Sequence, residues 1–183
     1  QILRDLEQGK GPTRDPELYF FSIFGKPGPK NTWAWRVEGH HLAFNFMIVN
    51  GQHVAATPTF MGSNPGEVRT GPRKELRVLS QEEDLARKLA QSLSDAQKKV
   101  AIYTNTAPSD IITGADRKAR LLTPEGLSMS KMNKMQSKLL WDLIQEYVRR
   151  TRPELADKDL GKIQKAGLKK VHFAWAGPLE TGK

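Results

Sequence analysis

The first third of the chain consists of short runs in which apolar and polar residues alternate, and this pattern predicts a β-sheet. Leu18–Phe24 is an apolar run followed by Gly25 and prolines, and it predicts one strand. Two further runs, Trp33–Val49 and Gln52–Phe60, flank Asn50-Gly51, a strong hairpin signal because both residues readily adopt positive φ. We therefore predict a long β-hairpin over about residues 33–60.

The middle of the chain predicts helices. Ser80-Gln-Glu-Glu83 and Ser94-Asp-Ala-Gln97 both have the spacing of a capping box. In this motif the serine and the side chain three positions later each accept a hydrogen bond from the other's backbone N–H. We expect the helix that starts at the second box to bring Val100 and Ile102 into the core.

Two more helices and a strand are predicted towards the C-terminus. Apolar residues recur every three or four positions over about residues 130–150, which indicates a longer helix. Pro153 suits the first turn of a last helix, and Gly167 is placed to end it. The run 171–176 predicts a strand. Because strands at both ends enclose a helical middle of about residues 80–166, we predict an α+β fold with an antiparallel sheet.

Both ends of the chain indicate a fragment of a longer protein. The chain begins with Gln, and Gln1–Glu7 has the apolar spacing of the last turns of a helix. At the other end, the strand Val171–Ala176 leads into the turn-forming sequence Gly177–Gly182, with no returning strand. We therefore expect a single domain over 1–183 that lacks an upstream helical part and downstream strands.

Composition narrows the classes of function. The chain has 183 residues, with 29 Lys and Arg against 20 Asp and Glu, and a net charge of +9. Its 38% hydrophobic content argues against a disordered chain, and no apolar run reaches the roughly 18 residues of a membrane span. The chain contains no cysteine, which excludes disulfides, thiolate metal sites and cysteine nucleophiles.

The predicted strand Trp33–Val49 carries the most promising chemistry. Strict alternation would mix Arg36 and Glu38 with phenylalanines on one face, so we predict a β-bulge near Gly39 that restores two distinct faces. The apolar face then carries Trp33, Trp35, Val37, Leu42, Phe44 and Phe46. The opposite face carries Arg36, Glu38, His41, Ala43 and Asn45.

The polar row forms a candidate catalytic or binding site. His41 suits a metal ligand or a general base, Glu38 could orient it or transfer a proton, and Arg36 could hold an anion in a bidentate fork. Asn45 adds an amide. The alternative is an Arg36–Glu38 ion pair on a solvated sheet face, with His41 merely hydrogen-bonded.

Three residues outside this strand extend the hypothesis. His172 lies on the terminal strand and would be a second ligand for a divalent metal if that strand paired with the hairpin; the alternative is a histidine in the core. Arg69 and Arg73 lie in a Gly/Pro-rich loop where they could bind an anionic ligand, although surface charge explains them equally well.

A basic segment supports a different class of function. Between Arg117 and Arg152 nine basic residues face three acidic ones, which could bind an anionic polymer. A solvated helix face is the alternative. Nucleic acid is not favoured as a partner, because no aromatic residues interleave with the charges. The chain has no Walker loop, GxGxxG, HExxH or GxSxG motif.

The sequence resembles a mostly bacterial family called domain of unknown function 3500. The resemblance rests on WAWRVEGHHLAFNF at 33–46, TPTFMGSNPGEVR at 57–69 and HFAWAG at 172–177. It implies an exported protein with a helical part before Gln1 and further histidine-containing segments after Gly182. Such segments could complete a metal or acid–base site with His41. Ala34 and Ala43 stand where glycine and serine are more usual in the family.

Three hypotheses therefore remain open. The first is a polar or anionic small-ligand site on the sheet face, possessing a hydrolytic, metal-assisted activity if the protein is an enzyme. The second is non-catalytic binding of an anionic polymer or surface by the basic helices. The third is a structural or interaction module without a site. The sequence indicates no oligomeric state, and the remaining segments of its own full-length chain are expected partners.

Overall fold

The computed structural model describes residues 17–112, 114 and 123–181. The expected helical remnant Gln1–Glu7 lies outside these residues, as do the basic residues Arg117, Lys118 and Arg120 and the chain end at Gly182. The chain comprises two compact units, residues 1–80 and 81–183. We describe each unit by itself.

The described part of the first unit is an antiparallel sheet of five strands. They are β1 (Tyr19–Phe24), β2 (Trp33–Gly39), β3 (Leu42–Val49), β4 (His53–Ala55) and β5 (Thr59–Met61). The order is β1-β2-β3-β4, and β5 also pairs with β3. Because paired residues of antiparallel strands point to the same side, the register assigns every side chain to one of two faces.

One face of this sheet is apolar. Trp35 pairs with Phe46, and their rings stack with centroids 4.2 Å apart. Phe21 of β1 lies 5.9 Å from Trp35 on the same face. The register also places Trp33, Val37, Leu42 and Phe44 here, as predicted. The opposite face carries Arg36, Glu38, Ala43 and Asn45.

The predicted bulge at Gly39 is wrong, and so is the predicted place of His41 on the polar face; the other residues of both faces lie where they were predicted. Gly39 pairs directly with Leu42, and His40-His41 forms a tight turn between β2 and β3. A two-residue turn shifts the alternation by one position, as a bulge does. Gly39 has another role: a Cβ there would collide with the ring of its pairing partner Tyr19.

The predicted turn at Asn50-Gly51 is confirmed. Both residues have positive φ, 51° and 66°, and Gln52 N donates to Val49 O at 3.1 Å. This is the geometry that connects twisted strands without splaying them. The turn packs so closely on the carbonyl of Pro29 that any Cβ at Gly51 would overlap it.

The described residues of the second unit form four α-helices and four short strands. The helices are α1 (Ser80–Ser92, starting at the last residue of the first unit), α2 (Asp95–Ala101), α3 (Lys134–Val148) and α4 (Pro153–Ala166). The strands are β6 (Ile102–Thr104), β7 (Leu127–Ser128), β8 (His172–Phe173) and β9 (Trp175–Ala176). The predicted starts at Ser80 and Pro153 and the end at Gly167 are confirmed.

The core of this unit lies between α1, α2, α3 and β8. Its fully or nearly buried members are Leu89, Ala90, Leu93, Ala101, Leu127, Met129, Leu139, Leu140 and Phe173. The predicted burial of Val100 is wrong, because Val100 is 54% exposed while its neighbour Ala101 is fully buried. Ile102 is half-buried. Met135 and Tyr147, expected on the apolar stripe of α3, are exposed.

The C-terminal run forms two short strands with partners inside the second unit. His172–Phe173 pairs antiparallel with Leu127–Ser128, and Trp175–Ala176 pairs parallel with Ile102–Thr104. The sequence allows a pairing of the His172 strand with the hairpin. The structure pairs this strand with β7 instead. The α+β class with an antiparallel hairpin sheet is confirmed. None of the helices within the described ranges is long and apolar enough to cross a membrane.

Candidate functional site

The polar face of the sheet in the first unit is built from cross-strand rows. One row runs Phe20, Glu38, Ala43 and Phe60 across β1, β2, β3 and β5. The next row runs Ser22, Arg36 and Asn45 across β1, β2 and β3. The predicted residues Arg36, Glu38 and Asn45 are therefore brought together by the sheet register.

Arg36 and Glu38 form an ion pair along β2. Arg36 Nη2 lies 2.7 Å from Glu38 Oε1, and both side chains are a little over one-third exposed. The guanidinium also lies 5.5 Å from the ring centroid of Phe24, within cation–π range. These contacts hold the Glu38 carboxylate in a defined position.

Asn45 has a positioning role. Its Nδ2 donates to the carbonyl of Pro58 at 2.8 Å, and Pro58 immediately precedes β5. Thr59 Oγ1 in turn donates to Ala56 O at 2.9 Å. Asn45 thus ties the start of β5, and with it Phe60, to the central strand β3.

The two adjacent histidines occupy different places in the turn between β2 and β3. His41 has φ 61°, in the left-handed region where histidine is uncommon but more frequent than most residues. Gly62 N donates to His41 O at 2.9 Å, and a Cβ on Gly62 would lie 3.1 Å from His41 Nδ1. The imidazole of His41 is therefore held over Gly62. The ring of His40 lies 4.1 Å from it, centroid to centroid, edge to face.

A cleft of about 540 Å³ opens beside this turn. Its lining includes Leu18, Phe20, Glu38, His40, Ala43 and Phe60. Small-molecule sites usually have volumes of roughly 300 to 1,000 Å³, and the volume of this cleft lies in that range. Apolar and polar groups both line it. His40, and not the predicted His41, is the histidine that lines it.

The cleft owes its shape to the small side chain of Ala43. In its row, Ala43 lies between Glu38 and Phe60. Its side chain is shorter than those of its two neighbours, so Ala43 forms the floor of the cleft. Phe20 and Phe60 are 54% and 40% exposed. Both residues line the cleft, and their backbones are three strand spacings, roughly 14 Å, apart, with Glu38 and Ala43 between them. We call Phe20 and Phe60 the walls of the cleft.

The loop arginines Arg69 and Arg73 are not among the residues that line the cleft. Arg69 follows Val68, which is completely buried and is held by two backbone hydrogen bonds, from Val68 N to Leu76 O and from Glu75 N to Val68 O. Arg69 is exposed and Arg73 is half-buried. The anion-binding role of both remains a prediction.

His172 lies in the second unit, whereas His41 lies in the first. His172 Nδ1 is 2.9 Å from the carbonyl of Lys170, and the side chain is half-buried. Among residues 17–112, 114 and 123–181, no group of three or more His, Asp or Glu side chains is arranged to hold a metal ion. The divalent metal and its proposed ligands His41 and His172 stay a prediction from sequence.

Several basic residues of α3 and its C-terminal end are paired with acids. Lys138 pairs with Asp142, Arg149 with Asp157, Arg152 with Glu154, and Arg150 with the buried Glu82. Burial lowers the pKa of Arg150 from its ordinary value. This pairing reduces the charge available to an anionic polymer.

Sequence reasoning missed the aromatic residues and the histidine of the cleft, namely Phe20, His40 and Phe60. The signal for the phenylalanines was available in the alternation of β1 and β5, since both occupy polar-face positions. The register of the sheet, which brings these phenylalanines beside Glu38, could not be predicted from the sequence. His40 was missed because the turn was interpreted as a bulge.

Comparison with known proteins gives one match. Residues 1–183 match the model of the family described as "Protein of unknown function (DUF3500)". Searches of curated proteins and of solved structures give no match to the chain. The match covers every residue that lines the cleft. The chain therefore belongs to the DUF3500 family of proteins of unknown function.

Proposed function

We propose that the first unit binds a small polar ligand in the cleft between Phe20 and Phe60. The observation that carries this proposal is that Glu38 and His40 are among the residues that line a cleft of ligand size. Apolar walls bury the body of a ligand, and a few fixed polar groups orient it.

The fixed position of the carboxylate supports this proposal. Because Arg36 already holds Glu38, binding a ligand costs less side-chain ordering than it would with a free glutamate. Arg36 acts on the ligand through Glu38. An exported location belongs to the same proposal and rests on the family resemblance alone.

The test is a binding screen with a matched pair of variants. We would titrate a library of small polar fragments into the ¹⁵N-labelled protein and follow the amide resonances of residues 38–43. Ala43→Leu should fill the floor of the cleft and abolish the shifts. Ala34→Leu is the control, because Ala34 lies on the same face of the same sheet, between Phe24 and Met47, outside the cleft.

Fragment binding that is unaffected by Ala43→Leu, or a screen in which no fragment moves these resonances, would contradict the proposal. Both variants must keep the wild-type far-UV circular dichroism spectrum. Ala34→Leu then separates an effect of added volume on the sheet from an effect on the cleft.

A further inference from the structure

We infer that the ligand of this cleft is a neutral, hydroxyl-rich ring, a saccharide unit. The inference rests on the proposed binding function and adds the chemical class. Three features of the cleft support it: its charge balance, its hydrogen-bonding groups and its walls.

The charge balance favours an uncharged ligand. Among the residues that line the cleft, Glu38 and His40 are the two that can carry a charge. The charge of Glu38 is matched by Arg36 at 2.7 Å. A cationic ligand would have to compete with Arg36 for this carboxylate, and an anionic ligand would lie against the carboxylate at a cost. A neutral ligand meets neither penalty.

The hydrogen-bonding groups suit hydroxyls. An ionised carboxylate only accepts hydrogen bonds and offers about four lone-pair positions, of which Arg36 uses part. A neutral imidazole presents one donor and one acceptor, depending on its tautomer. A hydroxyl both donates and accepts, so hydroxyls on adjacent carbons can donate to the remaining acceptor positions of Glu38, and they suit an imidazole in either tautomer.

The walls suit the other part of a sugar. A pyranose ring has hydroxyls at its edge and C–H groups on its faces, so it needs apolar surface beside polar groups. Phe20 and Phe60 supply exposed ring surface on both sides of Glu38. Burial of aromatic and C–H surface is the main favourable term available here.

The experiment uses three probes that share one ring: glucose, glucuronate and glucosamine, which are neutral, anionic and cationic. We would titrate each into the ¹⁵N-labelled protein at low and high salt. We expect glucose to bind most tightly, with weak affinity in the millimolar range, and its affinity should not change with salt. Ala43→Leu should abolish the binding.

Aromatic variants test the walls. Phe20→Ala and Phe60→Ala should each weaken glucose binding at least three-fold. Phe21→Ala should leave it unchanged, because Phe21 is exposed on the same strand but lies on the opposite face of the sheet and does not line the cleft. Equal loss in all three variants would overturn the role of the walls and the inference with it.

The remaining outcomes separate this inference from the proposed function. In one such outcome, glucuronate or glucosamine binds more tightly than glucose, and Ala43→Leu abolishes that binding. The inference of a neutral saccharide is then wrong, while the cleft remains a ligand site. If none of the three probes moves the cleft resonances, the inference is overturned. The fragment screen then decides independently whether the cleft binds a small ligand.

Discussion

Gln97 and Gln136 form a reciprocal amide pair that joins the starts of two helices. Gln97 Nε2 donates to Gln136 Oε1 at 3.1 Å, and Gln136 Nε2 donates to Gln97 Oε1 at 3.0 Å. Each glutamine is also the third helical residue, N3, in a capping box, with Ser94 as the N-cap of α2 and Asn133 as the N-cap of α3. The pair therefore couples two local motifs into one tertiary contact.

Replacing Gln136 should destabilise the second unit. Gln136 is 3% exposed, and its Oε1 accepts from Asn133 N at 3.0 Å while its Nε2 also donates to Ser92 O. Gln136→Ala removes four hydrogen bonds, to Gln97 twice, to Asn133 N and to Ser92 O, and each contributes a net of roughly 0.5 to 1.5 kcal/mol. We expect a loss of about 2 to 4 kcal/mol in the free energy of unfolding, measured by urea denaturation.

The control for this prediction is Gln164→Ala. Gln164 is exposed within α4, so the change should alter the free energy of unfolding by less than about 0.5 kcal/mol. Equal effects of the two substitutions would mean that helix propensity, and not the amide pair, accounts for the loss.

The hairpin turn at Gly51 should tolerate no side chain. Gly51 has φ 66°, and a Cβ would overlap the carbonyl of Pro29. We expect Gly51→Ala to lower the free energy of unfolding of the sheet by more than about 1 kcal/mol, because the new methyl group adds a steric clash to the backbone strain. Thermal denaturation followed by circular dichroism would measure this.

Gly66→Ala is the matched substitution. A methyl group on Gly66 would meet no atom within 4 Å, and no positive φ is found there. The change should be neutral or slightly stabilising, because alanine restricts the unfolded chain. A destabilisation as large as that of Gly51→Ala would contradict the steric explanation.

The two histidines of the turn should differ in function. His40 lines the cleft and His41 does not. We therefore expect His40→Ala to weaken binding of a cleft ligand several-fold and His41→Ala to leave it within two-fold. Isothermal titration with the best fragment from the screen would measure both. The opposite order would restore His41 as the site histidine.

His41→Gly should be neutral to stabilising, by up to about 1 kcal/mol. At φ 61° glycine avoids the strain that a side chain imposes, although it also gives the unfolded chain more freedom. Chemical denaturation of wild type and His41→Gly would measure this change in the free energy of unfolding. A loss of more than about 1 kcal/mol would indicate that contacts of the imidazole near Gly62 stabilise the turn.

Tyr147 should ionise above the ordinary range for tyrosine. Partial burial, and secondarily the Glu146 carboxylate, raise the pKa of Tyr147 above its usual 10.0. The difference in phenolate absorbance between wild type and Tyr147→Phe should give this pKa directly. A value at or below 10.0 would contradict the prediction.

The same shift has a consequence for stability. Because the folded pKa is raised, the contribution of Tyr147 is complete below pH 10.0 and is lost as the pH rises through the folded pKa. Wild-type protein should therefore lose stability faster than Tyr147→Phe above pH 10.0. Parallel curves for the two proteins would show that ionisation of Tyr147 is not linked to unfolding.

Local signals in the sequence were sufficient for much of the fold. Asn50-Gly51 marks a turn, Ser94 and Gln97 cap α2, and Pro153 begins α4. Each of these signals depends on residues within about four positions of one another. Their energies are therefore nearly independent of the rest of the chain, and the elements form where the sequence predicts them.

Local signals of this kind did not predict the turn at His40-His41. A bulge and a two-residue turn both shift the alternation by one position, so both reproduce the same two faces. The turn residues include no glycine or asparagine, although His41 adopts a positive φ. Strand pairing, which brings Gly39 opposite Leu42, selects the turn.

By itself the sequence determined the α+β class and the two faces of the sheet, with Arg36 and Glu38 together on one of them. Only the tertiary structure decided that Phe20 and Phe60, distant in sequence, stand on either side of Glu38, and that His40 joins them. The reason is physical: a cleft depends on the register of four strands, and register is set by long-range pairing that no short stretch of sequence encodes.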